Sequence, residues 1–138
     1  MILCDTSVVI DIDRGRPEME TVLRAHAGEP VGISAITIQE LYVGLGYLKA
    51  KFGNPRYERT RARLQTILND FEILAITTPI LEQAGLFEGE LQAKGIRVDA
   101  QDYIIAATAL QVQASKVLTR NPDHFKQFPL AIETYAIK

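Results

Sequence analysis

Three carboxylates stand out by their surroundings. Asp5 closes the apolar run Ile2-Leu3-Cys4, Glu40 precedes Leu41-Tyr42-Val43, and Asp102 precedes Ile104-Ile105-Ala106-Ala107. An acid set in apolar sequence tends towards burial, and a buried carboxylate must be paired or hold a metal. No Lys or Arg lies beside Asp5 or Glu40 in sequence. Two carboxylates ~4 Å apart repel by roughly 1 kcal/mol in water and by several times that in a partly dry cleft. A divalent cation relieves that repulsion, and hard oxygen ligands select Mg²⁺ or Mn²⁺ over zinc. Such an ion polarises phosphoryl oxygens and activates a water. Each acid alone also has a plainer reading. Asp5 could be an N-cap, Glu40 half of a capping box with Thr37, and Asp102 a complement to a helix dipole. Their conjunction is what points to a metal.

The elements that must position them are short apolar runs alternating with helical stretches. Strands are expected at Met1–Cys4, Pro30–Ile33, Phe71–Ile76 and Lys116–Thr119, with a short fifth at Leu130–Glu133. Helices are expected after Asp5-Thr6-Ser7, over Thr21–Ala27, over Ile36–Lys51 with Ser34 as cap, over Tyr57–Asn69, from Thr78-Pro79 to about Lys94, and over Ala100–Ala114. Ile38, Leu41, Leu45 and Leu48 form one apolar stripe on the third of these. Gly53-Asn54-Pro55 is read as a break and Gly95 as a helix stop. Alternating strands and helices predict an α/β fold with a mostly parallel sheet of four to five strands flanked by helices. Ligands bind such sheets at the carboxyl ends of the strands, near a topological switch point. Asp5, Glu40, Asp102, and Asn121 with Asp123 are all expected at that edge.

The chain has 138 residues and a formal net charge of −2, which fits one domain spanning 1–138. Its only cysteine, Cys4, excludes an internal disulfide and a cysteine-built zinc site, and is read as an inert buried thiol. No apolar run approaches the ~18 residues of a membrane span, and Met1–Asp5 lacks the regions of a secretory leader. A cytoplasmic protein with no membrane partner is expected.

Four blocks carry a resemblance: Ile2-Leu3-Cys4-Asp5-Thr6-Ser7; Ser34-Ala35-Ile36-Thr37-Ile38-Gln39-Glu40-Leu41-Tyr42-Val43-Gly44; Asp102-Tyr103-Ile104-Ile105-Ala106-Ala107-Thr108-Ala109; and Leu118-Thr119-Arg120-Asn121-Pro122-Asp123-His124-Phe125. In this order and spacing they resemble the PIN-domain ribonucleases, and among them the VapC toxins of toxin–antitoxin pairs. The resemblance implies a three-layer sandwich, with Asp5, Glu40 and Asp102 as catalytic acids and ligands of Mg²⁺ or Mn²⁺. It implies RNA phosphodiester hydrolysis by metal-activated water, leaving 5′-phosphate and 3′-hydroxyl ends. It further implies a homodimer held in check by a small DNA-binding antitoxin. Where the family often has a fourth acid this chain has Asn121. Asn121, Asp123 and Asp99 are therefore all candidates for a further metal ligand, with Ser7 and Thr119 as supporting hydroxyls. Neither His26 nor His124 is expected to act as an acid or base, and His124 is read as structural or surface-exposed.

Lys49–Arg63 holds Lys49, Lys51, Arg56, Arg59, Arg61 and Arg63 against Glu58 alone. Arg56, Arg59, Arg61 and Arg63 are candidates to bind RNA phosphates, with a solvated face or an antitoxin-docking surface as alternatives. Tyr42 and Tyr47 are expected in core or dimer packing rather than base stacking, and Gly44 and Gly46 suggest a close helix contact. The competing reading of the whole chain is a catalytically weak PIN-like RNA- or protein-binding module. A phosphatase of the Asp-x-Asp type is disfavoured because Ser7 stands two residues after Asp5. A phospho-receiver is disfavoured because Phe71–Pro79 contains no Asp.

Overall fold

The structure is a computed structural model that describes residues 1–138. Five strands, β1 (Ile2–Cys4), β2 (Val31–Ser34), β3 (Glu72–Leu74), β4 (Lys116–Thr119) and β5 (Ile132–Thr134), form one sheet in the order β3-β2-β1-β4-β5. Every pairing is parallel, with Ile2 opposite both Val31 and Lys116. The chain builds outward from β1 to β3 on one side, then crosses to β4 and β5 on the other. The switch point therefore lies between β1 and β4.

Six helices cover the sheet: α1 (Thr6–Asp13), α2 (Glu18–Ala25), α3 (Ala35–Phe52), α4 (Asn54–Leu68), α5 (Thr78–Ala93) and α6 (Ala100–Gln111). Strand side chains alternate between faces. Leu3 and Val117 point into a core with Ile80, Ala84 and Leu91 of α5 and Tyr103, Ile105 and Ala106 of α6. Ile2, Cys4, Ile33 and Leu118 point the other way, into a core with Val8 and Val9 of α1, Met19 of α2, Leu45 of α3 and Leu64 of α4. The result is the expected three-layer α/β sandwich. No helix is long and apolar enough to cross a membrane.

Boundaries differ from expectation where proline was read as a stop. Pro55 lies in the first turn of α4, where its missing N–H is no loss, so that helix begins at Asn54 rather than Tyr57. Gly53, at φ +84°, makes the sharp turn from α3. Pro17 likewise sets the start of α2 at Glu18. Helix α6 ends at Gln111, short of Ala114, because Gln113 adopts φ +53°. Strand β5 starts two residues late, at Ile132, because Leu130 is held in a turn by Phe128 O at 2.8 Å. Thr37 and Glu40 form no capping box. Ser34 Oγ alone accepts the Ile36 N–H, at 3.2 Å. Of the α3 stripe, Leu45 is buried and Ile38, Leu41 and Leu48 pack half-buried beside it. Gly44 and Gly46 meet no other part of the protomer, so the close helix contact they suggested is absent within it.

Candidate functional site

The carboxyl ends of β1 and β4 open onto a cavity of about 170 Å³ lined by Asp5, Thr6, Ser7, Ile10, Glu40, Asp99, Gln101, Asp102, Arg120, Asn121 and His124. Four carboxylates from three segments, the start of α1, α3 and the start of α6, thus face one small space. Asp5 follows β1 and occupies the N-cap position of α1, yet its side chain caps nothing. Its Oδ2 instead accepts from Ser7 Oγ at 3.0 Å and Thr119 Oγ1 at 2.7 Å. Each hydroxyl also accepts a backbone N–H: Ser7 from Arg120 at 3.2 Å and Thr119 from Asn121 at 2.9 Å. With the acceptor side of each oxygen taken, both hydroxyl protons are directed at Asp5.

Glu40 lies on α3, half-buried, and its Oε1 accepts from Thr6 Oγ1 at 2.7 Å. Thr6 has a single hydroxyl proton, so its 2.9 Å contact with Thr37 Oγ1 must have Thr37 as donor. Burial pushes the Glu40 carboxyl above its ordinary range, Asp5 and Asp99 add to the rise, and the Thr6 bond opposes it.

Asp102 sits in the first turn of α6, 7% exposed. Burial pushes its carboxyl up to about 7, helped by the charges of Asp5, Asp99 and Glu40, while His124 pulls the other way. His124 Nδ1 lies 3.2 Å from Asp102 Oδ2. Asp99, exposed at the α6 N-cap position, completes a group with Asp102 and His124 whose ligand-type atoms all lie within 4.8 Å of one another.

Asn121 lines the cavity; Asp123 does not. The single 3-10 turn Pro122–His124 carries Asp123 outward, where its side chain is 87% exposed and faces Lys126 Nζ at 3.8 Å. The same turn sets His124 beside Asp102 at the cavity mouth; it is surface-exposed as expected, at 46%, and its contact with Asp102 was not foreseen.

Arg120 and His124 also line the cavity. Arg120 is already engaged, its Nη1 2.7 Å from Oδ1 of Asp11, a carboxylate with no exposed surface. Tyr135 OH donates to the other oxygen of Asp11 at 2.8 Å. Burial and the adjacent Asp11 carboxylate raise the Tyr135 hydroxyl well above its usual range. Cys4, directly before Asp5, is buried and its thiol is pushed up to about 12, first by burial and then by Asp5, so it is inert.

Sequence reasoning missed Thr6, Ile10, Gln101, Arg120 and the Asp11–Tyr135 brace. Thr6 and Arg120 adjoin motif residues, and that adjacency was their signal. Nothing in the sequence joins Asp11 to Tyr135, 124 positions away.

The basic stretch is divided. Arg63 Nε binds Asp13 at 2.7 Å and Arg56 lies 4.2 Å from the centre of the Phe52 ring, while Arg59 is exposed and Arg61 half-buried. Tyr47 is 60% exposed, with Lys51 beside its ring, and so lies outside the protomer core; Tyr42 is half-buried against it.

The PIN domain family model matches residues 2–129. Ribonuclease VapC4 of Mycobacterium tuberculosis is 33% identical over 122 residues, covering 88% of this chain and 87% of that protein. The crystal structure of FitAcB from Neisseria gonorrhoeae aligns with TM-score 0.78 and 31% identity over 96% of both chains. That of VapBC2 from Rickettsia felis, bound to a DNA fragment from their promoter, aligns with TM-score 0.84 and 25% identity, covering 99% of this chain and 100% of that one.

Proposed function

The chain belongs to the PIN-domain family, and on that premise we propose that it is a divalent-metal-dependent endoribonuclease, the toxin of a toxin–antitoxin pair. The observation that carries the reading is the convergence of Asp5, Glu40, Asp99 and Asp102 on one cavity whose arginine is already neutralised by Asp11. Two of these acids, Glu40 and Asp102, are held above their ordinary range by burial and by the charges of Asp5 and Asp99. Such a donor set is suited to Mg²⁺ or Mn²⁺ and lacks the sulfur ligands of a structural zinc site. The kinship with ribonucleases named VapC supports RNA as the substrate.

Asp5, Glu40 and Asp102 are the residues assigned to hold the ion, with Asp99 and Asn121 at the rim. When bound, the ion supplies charge neutralisation at the phosphoryl oxygens and a water acidified enough to attack phosphorus. The protein's own part is positioning. Ser7 and Thr119 hold Asp5 by paired hydroxyl bonds, and Thr6 holds Glu40. The hydrolysis leaves a 5′-phosphate and a 3′-hydroxyl, with no need of a 2′-hydroxyl nucleophile.

The antitoxin is assigned to the cleft that adjoins the site. A space of about 260 Å³ between α1, α3 and α4 shares Ile10 and Glu40 with the acidic cavity and is lined by Leu41, Leu45, Leu48 and Leu64. An apolar segment lying there would end at the carboxylates and deny RNA access to them. The likeness to the VapBC2 and FitAcB structures supports an antitoxin partner, and its placement in this cleft rests on the lining alone. The reading includes one PIN domain over 1–138, a homodimer and a cytoplasmic location.

The test is RNA cleavage by antitoxin-free protein in Mg²⁺ or Mn²⁺ against EDTA, with Asp102→Asn beside it. Cleavage that needs metal and is lost in the variant is the expected result. A folded, metal-loaded protein that cuts no RNA would leave a binding module instead.

A further inference from the structure

We propose that His124 is a nitrogen ligand of this chain's metal site, acting through Nδ1 and biasing the site towards Mn²⁺ over Mg²⁺. The inference rests on the reading that the acidic cavity takes a divalent cation. Its starting point is the segment that follows β4. Asn121 stands there with a neutral amide, and the next acid, Asp123, is turned out towards Lys126. The charged-type side chain that this segment does deliver into the cavity is the imidazole of His124.

The geometry is that of a neighbouring ligand. His124 Nδ1 and Asp102 Oδ2 are 3.2 Å apart. Asp99 offers an oxygen within 4.8 Å of both atoms. The imidazole is also pre-placed. Pro122 opens the 3-10 turn, and Phe125, fully buried beside Phe128, anchors the residue that follows. The backbone is thus fixed on both sides of His124, whose Nδ1 faces Asp102 at the cavity. Nε2 has no protein partner, and the side chain is 46% exposed, so the second nitrogen is free to carry its proton towards water.

The chemistry follows from donor type. Imidazole suits the transition metals, whereas Mg²⁺ prefers an all-oxygen shell and retains its waters. Replacing a carboxylate by an imidazole also removes one negative charge from the shell. Both effects lower the affinity for Mg²⁺ more than that for Mn²⁺.

The test is calorimetric titration of the full-length protein with Mn²⁺ and with Mg²⁺, in the wild type, His124→Gln and His124→Asp. It is paired with ¹⁵N spectra of the imidazoles on adding ¹¹³Cd²⁺, a diamagnetic stand-in for Mn²⁺. His26, held by Val22 O and Glu133 well outside the cavity lining, is the internal control. His124→Gln is expected to weaken Mn²⁺ binding 10- to 100-fold and Mg²⁺ binding much less. His124→Asp is expected to shift the preference back towards Mg²⁺. The Nδ1 signal of His124 should split by coupling to cadmium while that of His26 stays put. Cadmium bound without any change at His124 Nδ1, or an unchanged Mn²⁺-to-Mg²⁺ ratio in the Gln variant, would overturn the proposal and make His124 an outer partner of Asp102. No binding of any of the three ions would overturn it together with the metal reading. A coupled His124 in a protein that cuts no RNA would sink the ribonuclease reading and leave this one standing.

Discussion

Thr119 Oγ1 donates to Asp5 Oδ2 across 2.7 Å and 114 residues of sequence, tying together the ends of the two strands that flank the switch point. The bond lies on the line where β1 and β4 part to feed different elements, the place where an open parallel sheet leaves a crevice. Ser7 donates to the same oxygen, so one carboxylate oxygen is held twice and Oδ1 has no protein donor. Asp5 is therefore a rigid ligand whose unbonded oxygen is available to the cavity.

Thr119→Val keeps the shape and removes the hydroxyl. It deletes a charge-assisted bond and orphans the Asn121 N–H, a loss of about 1–3 kcal/mol. Cleavage should fall about 10- to 100-fold, the usual cost of removing an outer-shell partner of a metal ligand. Thr119→Ser should restore most of both. Initial rates and thermal unfolding of the three proteins check this, and a fully active Val variant would remove Thr119 from the machinery.

The frame of the fold was legible because its signals are local. β4 at Lys116–Thr119 is delimited by its own sequence, and Ser34 announces its cap role by type and place. The three acids were legible through their apolar neighbours. What lay beyond the sequence is long-range pairing. Thr37 looked like a cap and is instead a buried donor to Thr6, because α1 crosses α3 at that point. Asp123 and His124 differ by one step around a 3-10 turn, and one step decides which of them enters the cavity. Arg63 read as a free cation because nothing in the sequence shows Asp13 opposite it.

In the metal-free chain, Asp102 should make stability fall as pH rises. Its carboxyl is at about 7 when folded against 3.8 as an ordinary group, so the folded state holds the extra proton between those values. The group's contribution is complete below about pH 4 and is lost as pH climbs through 7. Glu40, also raised, acts in the same direction. Asp102→Asn carries no such charge. At pH 8 without metal it should unfold about 4 °C or more above the wild type, with the gap closing towards pH 4. Saturating Mn²⁺ should stabilise the wild type and not the variant. Melting curves from pH 4 to 8 in EDTA settle it, and a wild type that outlasts the variant at pH 8 would contradict the crowding of acids.

The Asp11 brace should be structural first. Asp11→Ala removes the partner of the partly exposed Arg120 guanidinium and the acceptor of the Tyr135 hydroxyl, a loss of about 2–3 kcal/mol. Tyr135→Phe leaves the ion pair in place and costs about 1–2 kcal/mol. The Tyr135 hydroxyl is raised well above its usual range, so it stays protonated across ordinary buffers and the Phe penalty should be flat from pH 6 to 9. Denaturant unfolding at several pH values checks both numbers and the flatness.

RNA binding should distinguish the arginines that the sequence grouped together. Arg63 is committed to Asp13 through Nε at 2.7 Å and Nη2 at 3.4 Å. Asp13 also raises its pKa further. Arg59 and Arg61 have no such partner among the ion pairs. Each phosphate contact on a single strand contributes about 0.7 to the slope of log affinity against log salt. Arg59→Gln with Arg61→Gln should therefore lower that slope by about 1.4 if both touch the strand. Arg63→Gln should leave the slope unchanged and cost at most about 1 kcal/mol of stability, as an exposed pair does. Fluorescence anisotropy on a short single-stranded RNA, in catalytically inactive Asp102→Asn protein from low to moderate salt, gives both slopes. Equal slopes in the wild type and the double variant would return Arg59 and Arg61 to a solvated face. A reduced slope in Arg63→Gln would mean that RNA displaces Asp13 from its arginine.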